Sequence, residues 1–146
     1  MLKSENVAGA RPAVYPDEAG KVLVSDGSYE ITVAQNVDEA VIALCSLPAG
    51  CIPLDFTVVV DDLDSGAGIV IDGGAIASAA DSVDQVMISA SLVGQAGVIA
   101  RATLFPVVTP AETETLFGVH ITTGPGGAQA GTIRGILIYR STEYGG

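Results

Sequence analysis

The sequence predicts an all-β fold: a jelly-roll-like β-sandwich with one short helix and an extended N-terminal arm. Three observations predict it. Roughly eight runs rich in β-branched residues follow one another at short spacing, each bounded by Gly, Pro, Asp or Ser. Apolar residues make up 49% of the chain but aromatics only 5%, with no Trp. The core must therefore be built from Val, Ile, Leu and Ala, and side chains stiff at χ1 pack best on a pleated surface. Long turn-rich connections lie between the later strands, and no fixed internal period marks a solenoid or propeller, which favours a jelly roll over an immunoglobulin-like order.

At 146 residues the chain is long enough to bury one core without disulfides. Residues 1–20 show no sustained periodicity and hold Gly9, Pro12, Pro16 and Gly20. They read as an extended arm, which either frays or orders on a neighbouring subunit; residues 21–146 form the sandwich. Its strands are expected in "KVLVS", "YEITVA", "DEAVIALCS", "CIPLDFTVVVD", "GIVID", "GVIARATLF", "LFGVHITT" and "GTIRGILIYR". The clearest alternation is in "IPLDFTVVV", with Ile52, Leu54, Phe56, Val58 and Val60 toward the core and Pro53, Asp55 and Thr57 away from it. In "LFGVHITT", Phe117, Val119 and Ile121 point inward, and Gly118, His120 and Thr122 outward. The single His of the chain thus reads as a solvated strand residue.

One segment departs from the strand period. Val83, Val86, Met87, Ala90 and Val93 recur at three- and four-residue steps, Ser82 and Gln85 match a capping box, and Gly94 and Gly97 supply stop signals. That spacing predicts a helix over 82–93, with a further buried strand as the alternative. The segments "PVVTPAETET" and "TTGPGGAQAG" read as surface loops.

Seventeen acidic against six basic residues give a formal charge of −11. Nucleic acid is excluded as a partner by this balance, since its affinity comes from Lys and Arg displacing counterions. The same charge allows docking on a basic protein surface. No apolar run approaches the length of a membrane helix, and "MLKSENVAGARPAV" lacks the apolar core of a secretion signal, so a soluble protein made in the cytosol, with no membrane partner, is expected. Cys45 and Cys51 flank "SLPAG" and could face one another across a hairpin loop; reducing conditions and apolar surroundings favour two free thiols.

Catalysis needs a poised base, most often His, and His120 stands alone. "DGSYE" around Ser28 is no nucleophile elbow, and the Gly-rich segments lack the Gly-Lys-Ser/Thr ending or the G-x-G-x-x-G of phosphate loops. No residue is assigned to catalysis, to a cofactor or to a metal. The acidic corner "DDLDSG" raises the one open question. An EF-hand loop starting at Asp62 fails at Gly66 and Gly73, but an irregular calcium site from Asp61, Asp62, Asp64 and Asp72 is chemically allowed. Against it stands an Asx-type turn, in which the carboxylates accept backbone N–H groups and Gly66 and Gly68 complete the bend.

The run "LPAG" leading into a strand that ends "DDLDSG" and then "GIVIDGG", with the later "SASLVGQAG" and "AGTIRGILIYR", resembles a family of capsid decoration, or cement, proteins of tailed bacteriophages, over roughly residues 20–140. The resemblance implies a structural virion protein with no catalytic residues and no cofactor. It would sit on the outer surface of the capsid, bind the major capsid protein, and hold neighbouring capsomers together as a homo-oligomer, with a trimer placed ahead of a dimer. The arm and the loops at 105–116 and 123–131 would make the contacts. The competing readings are another virion part, such as a head fibre or head–tail joining protein, and a carbohydrate-binding host-attachment module. A β-sandwich or cupin-type enzyme is disfavoured by the single His.

Overall fold

The computed structural model describes residues 1–4, 21–76, 82–91, 94–95, 99–104, 110 and 112–142. Among the described residues nine strands follow in chain order: β1 (Leu2–Lys3), β2 (Val22–Ile31), β3 (Val41–Leu47), β4 (Cys51–Val60), β5 (Val70–Ile76), β6 (Val83–Ser91), β7 (Ile99–Arg101), β8 (Thr115–Thr123) and β9 (Gly131–Ser141). Their pairing is nested: β2 runs antiparallel to β9, β3 to β8, β4 to β7 and β5 to β6. Two further pairings, β5 with β8 and β4 with β9, roll this ribbon into two sheets, ordered β1-β3-β8-β5-β6 and β2-β9-β4-β7. An eight-stranded antiparallel ribbon rolled in this way is a jelly roll, as the sequence predicts. β1 is added beside β3 in parallel, and the Ser4 hydroxyl donates to the Leu44 carbonyl at 2.5 Å. Residues 5–20, the bulk of the expected arm, lie outside the described residues.

Between the sheets lies one aliphatic core that includes Ile42, Leu44, Val58, Val119, Ile121 and Leu137. Phe56 and Phe117 meet edge to face at its centre, 5.7 Å apart. A second, small cluster of Val41, Ala43 and Ile76 occupies the opposite side of the five-stranded sheet, which is why every residue of β3 is buried. The two sheets close on each other at one corner. There a Cβ on Gly27 of β2 would fall on the Leu44 carbonyl oxygen, so only glycine allows this approach.

Two sequence expectations fail for one physical reason, the β-bulge. In β4 the register against β9 shifts between Pro53 and Asp55, so Leu54 is an extra residue that reverses the alternation. Cys51 and Pro53 are inward before it and Phe56, Val58 and Val60 after it, while Ile52 is only half-buried and Leu54 is exposed. The predicted helix over 82–93 is also corrected: residues 83–91 are strand β6. Its pairing with β5 is bulged three times, eight steps from Val83 to Ser91 facing five from Ile71 to Ile76. The inserted residues stretch the period of two into steps of three, which imitates a helix. Cys45 and Cys51 are two free thiols, as the sequence favours. They do not flank a hairpin, because β3 and β4 belong to different sheets. Both lie in the core, and burial pushes Cys45 up to about 12 and raises Cys51 as well.

Candidate functional site

The nesting of strands carries three described connections to one end of the sandwich: residues 32–40, 61–69 and 124–130. Asp64 ties two of them together. Its side chain, with the residue only 3% exposed, accepts five backbone N–H groups. Gly66 (2.8 Å) and Gly127 (2.8 Å) donate to Oδ1. Gly68 (2.9 Å), Ile69 (3.0 Å) and Gly126 (3.2 Å) donate to Oδ2. The local bonds are those of an Asx-type turn; those to Gly126 and Gly127 cross to the far loop. Burial alone would raise the Asp64 carboxyl, but the donors from Gly127, Gly68, Gly66 and Gly126 outweigh it and hold the group well below the usual carboxylate range. Backbone bonds reinforce the join, from Ser65 N–H to the Gly127 carbonyl and from Gln129 N–H to the Leu63 carbonyl. Asn36, from the third connection and buried itself, donates through Nδ2 to the carbonyls of Leu63 and Gln129, at 2.7 and 2.9 Å.

The four carboxylates proposed for calcium do not converge. Asp61 accepts the N–H of Thr132, Asp62 accepts that of Asp64, and Asp72 lies on β5 opposite His120. Among the described residues no three His, Cys, Asp or Glu side chains come together as a metal would require, and the Asp64 oxygens are already filled by N–H donors. His120 faces outward as expected but is largely buried rather than solvated. Its Nε2 lies 3.0 Å from Oε2 of Glu39, a residue whose left-handed backbone (φ 62°) turns the chain into β3.

Beside the Asp64 junction lies an open groove of about 540 Å³ between the 32–40 and 122–128 segments, lined by Val33, Val37 and Pro125 together with Asn36, Asp38 and Thr122. Val33 and Val37 are 53% and 49% exposed. The Asp38 carboxylate accepts the Gly124 N–H at 3.1 Å, which fixes the width of the groove. An open groove of mixed apolar and polar lining is suited to a protein segment rather than to turnover of a small molecule.

No family model and no curated protein matches the chain. Solved structures do. A chain of the capsid of Ralstonia phage GP4 superposes with a TM-score of 0.84 at 30% identity, covering 97% of this chain and 98% of that one. The chain belongs to this family of phage capsid proteins. A chain of the cyanophage Pam1 capsid asymmetric unit is also similar, with a TM-score of 0.67 and 32% identity over 93% of this chain and 96% of that one.

For a phage capsid protein the useful surfaces are those that meet other proteins, and here sequence and structure part company. The expected contact loop 123–131 is present in the groove wall. Of the expected loop 105–116, residues 105–109 and 111 lie outside the described residues. The 32–40 connection, with Val33, Asn36 and Val37, was not legible. Nothing in its sequence signals that it lies beside residues 63 and 129, which it reaches only through the roll of the sheets.

Proposed function

We propose that this capsid protein decorates the outer surface of the phage head, binding the major capsid protein as a homo-oligomer and tying neighbouring capsomers together. The observation that carries the reading is the near end-to-end likeness, at 30% identity, to a chain of a phage capsid. A structural role in the virion follows from that family. The decorating role is supported by the small single sandwich and by a charge of −11, which suits docking on a basic outer face of a shell. Each copy contributes a modest contact, and an oligomer that engages several capsomers gains strength through geometry. The arm at 1–20 and the loops at 105–116 and 123–131 are the contact elements, with the Val33–Val37 groove beside the last. Synthesis in the host cytoplasm suits two buried, unbridged cysteines.

The test adds purified protein to heads that lack it. Saturable binding at a fixed ratio to the major capsid protein, together with a higher melting temperature of the heads, is the expected result. One or a few copies per particle would instead indicate a head fibre or joining protein. Binding to glycans without binding to heads would indicate host attachment. Either result overturns the decorating role.

A further inference from the structure

We propose that the outer face of the four-stranded sheet is the surface on which a second copy of this chain docks. The strand register defines this face. Val22 lies beside Arg140 and Ile52, Val24 beside Ile138 and Asp55, Asp26 beside Ile136, Thr57 and Arg101, and Ser28 beside Arg134, Val59 and Ile99. Alternation places polar groups on the solvated side of a sheet, yet in every one of these four rows an aliphatic side chain points out. Val22 and Val24 are each 55% exposed and Ile99 61%.

Charge decides the occupant. Half of the six basic residues of the chain, Arg101, Arg134 and Arg140, stand on this one face, against three of its seventeen acids, Asp26, Asp55 and Glu30. The face is therefore neutral, and the whole net charge of −11 lies elsewhere. Two copies repel each other wherever acidic surfaces meet; here that repulsion is absent and aliphatic side chains gain by burial. Arg140 and Arg101, at opposite ends of the face, are placed to meet the Asp and Glu side chains of a neighbour, while Arg134 already pairs with Asp26 at 3.2 Å. Three strands of about nine residues and the three-residue β7, about 4.8 Å apart and rising about 3.3 Å per residue, offer roughly 450–500 Å² per copy, the size of a small, weak contact. The neutral stretch also continues to the edge of the sheet, where Val22 and Val24 precede the corner that Gly27 closes against β3.

This contact rests on the oligomeric part of the proposed function but not on attachment to heads, and the experiment separates them. Sedimentation velocity on the full chain is expected to show an oligomer that the double variant Val22→Glu, Val24→Glu dissociates, with the dissociation constant rising about a hundredfold through charges left unpaired in the contact. Arg140→Glu should weaken it as well, while Val37→Glu, in the groove, should not. An unchanged circular dichroism spectrum of the double variant, with a melt that stays cooperative, shows that dissociation is not unfolding. A wild-type chain that stays monomeric at the concentrations where it saturates heads, or a double variant with wild-type mass, overturns the contact. Failure of the wild-type protein to bind heads bears on decoration alone.

Discussion

The loop junction around Asp64 and the outer face of the four-stranded sheet are inverted images of each other. At the junction a charged group is turned into the protein and meets five N–H donors. On the sheet, aliphatic groups are turned out of the protein and meet water. The first arrangement is costly to build and destabilising to break, because five N–H donors, four part-buried and that of Ile69 buried, lose their shared acceptor when it is removed. The second costs the monomer little, and its loss would be felt only when another molecule covers it. Surface position thus says little about purpose; what matters is whether the polar and apolar groups there are already satisfied.

Substitutions sharpen the contrast. Asp64→Ala should lower the melting temperature more than any other change named here, since it orphans N–H groups in two loops at once; thermal denaturation followed by circular dichroism measures it. The carboxylate also predicts an acid limit. The folded group titrates below its unfolded value of about 3.9, so its contribution is fully present above that pH and is lost as pH falls below it. Wild-type stability should decline more steeply below about pH 4 than that of Asp64→Asn, which is less stable at neutral pH but flatter in acid; equal slopes would remove the carboxylate from this role. Asn36→Ala should cost about 1–3 kcal/mol in chemical denaturation, for the loss of its two hydrogen bonds; the Leu63 carbonyl keeps the Gln129 N–H, so the Gln129 carbonyl is the one that loses its donor. The smallest effect belongs to the sheet face, where Val22→Glu with Val24→Glu should change monomer stability by no more than about 0.5 kcal/mol per site. A large loss there would mean that the face already packs against its own chain.

How much of this was legible in the sequence depended on whether the period of two survived. Where the register is regular, as in β8 from Phe117 to Ile121, the inward set of Phe117, Val119 and Ile121 was readable, and the abundance of β-branched residues between turn residues fixed the class of fold. Where bulges insert residues, at Leu54 and along β6, the pattern misled, because side-chain direction follows hydrogen-bond register and not residue number. The site divides in the same way. The turn from Asp64 to Gly68 is local and visible in "DDLDSG". Its bonds to Gly126 and Gly127, and those of Asn36 to Leu63 and Gln129, join positions distant in the chain that only the rolled sheets bring together.

The nested pairing of the strands also implies an order of assembly. β5 and β6 are neighbours in the chain, whereas β2 and β9 are separated by most of its length, and the entropic cost of closing a loop grows with the length enclosed. Each inner pairing, once formed, shortens the effective loop for the next, so the ribbon can zip outward from its tip, slowly as non-local sheets do. Pulse-labelled hydrogen exchange should then find β5 and β6 amides protected first and the β2–β9 seam last, and the reverse order would refute this route. The seam that forms last carries Val22, Val24, Arg134 and Arg140, so the proposed contact face would be completed only as folding ends.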